Sequence, residues 1–360
     1  MANALKYKDI VDWTMEQLAA GVFKPKDKFL SEASLGEKFK CSRQTVRRAL
    51  EELEKQGHIT RLQGSGTYIS ADRFYARRNA SGNLNMTVGL INTYMDNYVF
   101  PGIIRGIEGV LSEAGFGVEL ISTNNQIAGE ARALQFMMER NLDGLIVEPT
   151  RSALPCANLD LYRALGLRGL PIVFIDSYYP ELSSPYVALD DEKAGYEATK
   201  YLFSMGHRNL SSVFPHSHRQ GHLRYLGYVK AHADFGIPIH DDLVCWHSRE
   251  NMNQMLHSQM FLDQLKRSTA VLCYNDATAL TVIEFLHQKG IRVPEDLSVM
   301  GIDNSEMARI TSLTSIAHPS ERLGEAAAKL LLSMINGSEG GNILFPPELV
   351  IRSSVRQLEG

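Results

Sequence analysis

The sequence predicts an α/β protein in two parts, a small winged helix-turn-helix head and a larger body of two parallel-sheet subdomains. Three observations carry this. The chain has 360 residues, about two to three times the usual domain size. Its charge is unevenly divided: residues 1–78 hold 15 Lys+Arg against 10 Asp+Glu, and the remaining 282 residues hold 22 against 31. From residue 86 onward short apolar runs alternate with amphipathic stretches, the pattern of parallel strands separated by helices.

Composition excludes several classes. With 44% hydrophobic and 22% charged residues, 28 Gly and 13 Pro, the chain is neither disordered, collagen-like nor a coiled coil. No apolar run is long enough to cross a bilayer, and the start, MANALKYKDIVDWTMEQ, lacks a secretory apolar core, so a soluble cytoplasmic protein is expected. Cys41, Cys156, Cys245 and Cys273 stand far apart without a CxxC pair, which suggests neither a disulfide framework nor a cysteine zinc site. A basic head on an acidic body is the asymmetry expected when the head meets phosphate and the body does not.

In the head, Tyr7, Ile10, Val11, Met15 and Leu18 recur at helical spacing over 5–20, with Gly21 as a C-terminal cap. Ser31 is an N-cap for a short second helix that buries Leu35 and Phe39. Ser42 caps a third helix, RQTVRRALEELEKQ, whose buried face is Val46, Leu50 and Leu53 and which Gly57 ends. HITRLQGSGTYIS then reads as a β-hairpin with a glycine-rich tip at Gly64 and Gly66. The third helix carries the chemistry. Arg43, Gln44, Thr45, Arg47 and Arg48 occupy its first two turns, where a recognition helix enters the major groove. Arg reads guanine and Gln reads adenine, each by paired hydrogen bonds. Glu51, Glu52 and Glu54 follow, so the charges run against the helix macrodipole, and a functional cause is preferred to a stabilising one.

Residues 71–85 mix Arg, Ser, Gly and Asn without apolar periodicity and read as a linker between the head, 1–70, and the body, 86–356. Strands are predicted at 87–91, 117–122, 143–147, 171–175, 210–214, 269–273 and 297–302, and about 275 residues exceeds one comfortable core. Ligands in such folds bind beyond the carboxyl ends of the strands. There stand Asn92, Thr93 and Tyr94 with Tyr98 and Phe100 close behind, then Glu148, Asp176 with Tyr178, Tyr274 to Asp276, and Asp303. Any one of these Asn and Asp residues has an ordinary role as a helix cap, Asp276 in particular. Together, carboxylates, amides and aromatics on one edge suit a polyhydroxylated ligand, whose hydroxyls pair with acceptors and whose C–H faces lie on rings.

Phosphate-loop and GxSxG patterns are absent, which weakens kinase and acyl-transfer readings. His216, His218 and His222 invite a metal reading, but no supporting carboxylate or cysteine spacing accompanies them, and a polar loop running into a helix is preferred; neither a metal nor a cofactor is expected. Trp246 either lines the cleft or packs in the core, and packing is preferred for a lone aromatic.

The head resembles the GntR family of bacterial regulators at Ser31-Glu32, Leu35, Phe39, Ser42-Arg43, Thr45-Val46-Arg47, Ala49-Leu50, Leu53, Gly57, Gly64 and Gly66-Thr67. That resemblance implies DNA contacts from Arg43, Thr45 and Arg47 and a wing containing Gly66; Gln44 and the signature residue Glu32 complete the candidate set. Leu30 and Ala33 depart from the family pattern. The body resembles the LacI/GalR family, related to periplasmic sugar-binding proteins, in Arg224 to Tyr228, Cys273 to Asp276, Val293 to Ser298 and Gly301 to Asp303. It implies a periplasmic-binding-protein-like body in which Arg224, Asn275, Asp303 and Asp176 meet the effector, residues 320–336 return to the first subdomain and 346–354 to the second.

A GntR head on such a body resembles a group of L-arabinose-responsive repressors, with similar stretches at Thr93-Tyr94, Tyr98 to Pro101, Ser122 to Asn125 and Asp143 to Thr150. This adds Tyr94, Tyr98, Phe100 and Glu148 to the pocket and implies a homodimer on palindromic operator DNA, released by L-arabinose. Two alternatives stay open: another effector (pentose, hexose or nucleobase), or a sugar-processing enzyme using Glu148 and Asp176 as a carboxylate pair.

Overall fold

The computed structural model describes residues 2–19, 22–23, 27–55, 58–62, 66–69, 84–95 and 98–358; the expected caps Gly21 and Gly57, the tip residue Gly64 and linker residues 71–83 lie outside them. Among the described residues the chain forms thirteen α-helices and fourteen strands. No helix among them is long and apolar enough to cross a membrane, and no group of three or more His, Cys, Asp or Glu is placed to hold a metal ion.

The head is three helices, α1 (Ala2–Ala19), α2 (Glu32–Phe39) and α3 (Arg43–Lys55), with an antiparallel pair, β1 (Ile59–Leu62) and β2 (Gly66–Ile69). Ser31 accepts from the Ser34 N–H at 3.1 Å and Ser42 from the Thr45 N–H at 3.2 Å, so both expected caps are made. Ile10, Leu35, Val46, Leu50 and Leu53 form the buried centre with Ile59 and Ile69 of the hairpin.

The body has two six-stranded sheets. The first runs β4 (Gly117–Ser122), β3 (Thr87–Asn92), β5 (Gly144–Val147), β6 (Ile172–Ile175), β7 (Tyr186–Leu189), β13 (Ile343–Phe345), all parallel. The second runs β9 (Val244–His247), β8 (Leu210–Pro215), β10 (Ala270–Cys273), β11 (Ser298–Asp303), β12 (Thr314–Ala317), β14 (Glu348–Val350), with β14 alone antiparallel. Each sheet is covered on both faces, so its inner strands are buried almost throughout, while the edge strands β4, β13 and β14 are partly exposed. The chain passes between subdomains three times: after β7, after β12 and between β13 and β14. Helix Ser320–Ile335 returns to the first subdomain and packs on helix Phe100–Glu113 so closely that a Cβ on Gly324 would lie 2.1 Å from the Ile103 carbonyl oxygen.

In the second subdomain helix Asp191–Ser204 meets helix Arg219–Phe235 in the same manner. A Cβ on Gly195 would lie 2.0 Å from the Arg224 carbonyl oxygen, a distance only glycine allows. Asp191 and Gly195, one turn apart on one helix face, therefore both bear on Arg224.

Candidate functional site

The carboxyl ends of both sheets face each other across a cleft of about 300 Å³. Each strand end contributes what immediately follows it: Thr93 and Tyr94 after β3, Glu148 after β5, Asp176 after β6, His218 after β8, Tyr274 and Asn275 after β10, and His318 after β12, with Asp303 closing β11. Of the eight residues expected at a sugar site, Tyr94, Tyr98, Glu148, Asp176, Arg224, Asn275 and Asp303 line this one cavity. Phe100 is the correction: it is 1% exposed and packs in the core of the first subdomain with Ile103 and Ile107, because it begins a helix whose inward stripe it joins.

Arg224 is the hub. Its guanidinium is 3% exposed, donates to Asp191 at 2.7 Å and to the Tyr274 carbonyl at 2.6 Å, and stands 3.7 Å from Asp303. The surrounding carboxylates hold its proton more tightly than usual, against the effect of its own burial. Burial pushes the Asp303 carboxyl up to about 7 and that of Asp191 up to about 6, even with the guanidinium pulling both down. Burial, reinforced by the charge of Asp176, takes the Glu148 carboxyl to about 8; its Oε2 accepts from the Thr93 N–H. Asp176 goes the other way. Its burial is outweighed by a 2.8 Å hydrogen bond to His318 and by that residue's charge, so its carboxyl is held low and the imidazole high. One cleft thus contains a fixed ion pair and carboxyls near neutrality, a range of donors and acceptors suited to hydroxyl groups.

Two details distinguish the cleft from the packed interior. Asp176 (φ 64°) and Asp303 (φ 121°), both lining the cavity, hold positive φ, a strain of about 1–3 kcal/mol each. Gln220 Oε1 and His247 Nε2, both on residues lining the cavity, are buried without a hydrogen-bond partner among the described residues.

Polar contacts join the lips. Tyr98, from the first subdomain, donates to Asp303 of the second. The Arg249 guanidinium lies 3.9 Å above the Tyr94 ring, and Asn125 meets His218 at 3.3 Å. Gln220 donates to Asp176 at 3.1 Å.

The bland alternatives also resolve. Asn275 is itself the N-cap of helix Asp276–Gln288, accepting from the Thr278 N–H at 3.0 Å, and it lines the cleft as well. Asp276 is buried and ties Ser315 and the Ser305 N–H together. Trp246 packs on Phe214 and Tyr225. His222 is held by the His216 carbonyl at 2.9 Å, and of the three clustered histidines only His218 reaches the cavity. Gln220 and His318 had no signal of their own: one follows a helix start and the other a four-residue strand.

On the head, Arg43, Gln44 and Arg47 are exposed along α3. Thr45 is only 5% exposed, with its hydroxyl 2.9 Å from that of Ser42, so the fold turns it toward the cap. Glu32 holds Arg47 at 3.1 Å across the turn and so orients that guanidinium, while Arg61 of the hairpin donates to the Arg47 carbonyl at 3.3 Å. Arg48 lies over the Tyr7 ring at 4.4 Å. Gly66, the first residue of β2, holds φ 122°, open to glycine.

Residues 6–69 match the bacterial regulatory proteins of the gntR family, and residues 199–355 match a periplasmic binding protein-like domain. The chain is 37% identical to an arabinose metabolism transcriptional repressor of Halalkalibacterium halodurans, over 98% of this chain and 97% of the relative. A repressor of the same name from Geobacillus stearothermophilus is 35% identical over 98% of each chain. Among solved structures, a LacI family transcriptional regulator from Enterococcus faecium with bound ribose is similar at a TM-score of 0.65 and 28% identity, covering 76% of this chain and 100% of that one. These relatives are regulators, not enzymes, so Glu148 and Asp176 are not read as a catalytic pair.

Proposed function

The chain belongs to the family of the arabinose metabolism transcriptional repressors, and from that premise we propose that it holds a palindromic operator as a homodimer and releases it when L-arabinose fills the cleft. The observation that supports this best is the convergence of seven expected sugar-site residues from both subdomains on one cavity. A pentose offers hydroxyls to Asp303, Glu148, Asp176 and Asn275, a donor partner in Arg224, and a C–H face to Tyr94. Because both lips contribute, a bound sugar favours the closed arrangement over an open one, and only such a difference in affinity can move the heads.

The heads act in the cytoplasm. One recognition helix with Arg43, Gln44 and Arg47 reads a half-site, and a symmetric pair of heads matches a symmetric operator. A hundredfold loss of operator affinity requires about 2.8 kcal/mol of coupling between sugar and DNA. The test is selection of binding sites from a random DNA pool, followed by anisotropy titration with and without L-arabinose. A palindromic site that L-arabinose releases supports the proposal. A non-symmetric site, or a palindrome released only by a different sugar, overturns the corresponding half.

A further inference from the structure

We propose that Glu130, which lines no part of the cleft, is a positioning residue of the sugar site: it anchors together the two loops that carry Glu148 and Asp176. The inference rests on the cleft reading above. Glu130 sits in the first turn of helix Ile127–Glu139 and is 1% exposed. A carboxylate so placed is costly unless donors surround it, and here four do. Its Oε1 accepts from the Thr150 N–H at 3.1 Å, from Tyr162 at 2.9 Å and from Tyr179 at 2.9 Å. Its Oε2 accepts from the Asn158 amide at 2.7 Å.

The origin of these donors is what matters. Thr150 lies two residues beyond Glu148 on the loop after β5, and Tyr179 lies three beyond Asp176 on the loop after β6. Tyr179 shares its one hydroxyl proton between Glu130 Oε1 and the Thr150 carbonyl, so the same group ties the two loops through Glu130 and directly. The Thr150 hydroxyl stands 2.9 Å from that of Thr123, which brings in the loop after β4. Tyr162, in contrast, donates to the same oxygen from helix Leu159–Leu167, none of whose residues lines the cleft. A network serving stability alone would leave sugar affinity unmoved by the loss of either tyrosine hydroxyl. A network that positions the site responds to Tyr179.

Tyr179→Phe and Tyr162→Phe each remove one hydroxyl bonded to Glu130 Oε1 and keep the ring in the buried aromatic cluster with Phe174, and Tyr179→Phe also unties the Thr150 carbonyl. Calorimetric titration of the full chain with L-arabinose is expected to show about a tenfold loss for Tyr179→Phe and a change within about twofold for Tyr162→Phe, with operator affinity unchanged in both. Hydrogen exchange without sugar should rise in 148–151 and 176–180 together for Tyr179→Phe only. Equal sugar losses for the two variants, no loss for Tyr179→Phe, or exchange that rises in one segment alone would overturn the proposal. If the unaltered chain takes up no L-arabinose while exchange in the two segments stays linked, the effector assignment fails and the anchor stands.

Discussion

Replacing Arg224 with methionine keeps much of the aliphatic stem and removes the charge that two buried carboxylates face. Asp191 accepts from the guanidinium at 2.7 Å and Asp303 lies 3.7 Å away, all three side chains being at most 6% exposed. Removing one partner of a buried pair costs about 3–5 kcal/mol, because the remaining charge stays out of water. The pH dependence has a definite sign. Burial has already lifted the Asp191 carboxyl to about 6 and that of Asp303 to about 7 with Arg224 pulling both down, so without it both rise further. A carboxyl raised above its unfolded value contributes stability that is present below the unfolded value and lost as pH climbs through the folded one. The variant's deficit is therefore small at pH 5.5, where both carboxyls take protons, and largest at pH 8. Scanning calorimetry of the full chain should show it. At about 2–4 °C per kcal/mol for a domain of this size, the transition of the second subdomain falls by roughly 6–20 °C at pH 8. A fall under about 2 °C at pH 8, or an equal fall at both pH values, would refute the reasoning.

Three further outcomes are expected. Arg43→Ala and Arg47→Ala should each cost about 1–3 kcal/mol of specific operator binding and leave sugar binding intact, measured by anisotropy and calorimetry on the same preparations. Tyr98→Phe removes the hydroxyl that bridges to Asp303 across the cleft, and because a hydrogen bond to a charged group contributes about 1.5–3 kcal/mol, L-arabinose affinity should drop roughly tenfold or more; affinity within twofold of the unaltered chain would contradict the closed-cleft account. His318 is held above its ordinary 6.5, so the stability it gains beside Asp176 is fully present below that value and lost as pH rises through the raised one; His318→Asn should flatten the melting temperature against pH above 6.5, and an unchanged slope would count against the ion pair.

Much of this is legible because both sheets are parallel but for the edge strand β14. A buried parallel strand is a short apolar run, and its carboxyl end is where a ligand site opens, so Glu148, Asp176 and Asp303 stand one residue past their runs and Asn275 two. Strands β7, β9, β12, β13 and β14 carry no such signature. Each is three or four residues long, and runs such as TSIA or VCWH carry too little periodicity to separate from loop. His318 was hidden with β12. Asp191 was hidden for a different reason: its partner Arg224 lies 33 residues away, and they meet only because Gly195 lets two helices touch. Phe100 stands near Tyr94 and Tyr98 in sequence, but it belongs to the core stripe of the helix it begins. In the head, the caps and the apolar face of α3 were readable, whereas the inward turn of Thr45 and the grip of Glu32 on Arg47 arise from packing between helices.

Calorimetric titration of the purified chain with L-arabinose, with D-xylose and D-galactose alongside, tests the central claim most directly. The account predicts saturable L-arabinose binding near one site per chain, with the other two sugars much weaker. Heat from D-xylose or D-galactose alone, or from none of the three, would contradict it.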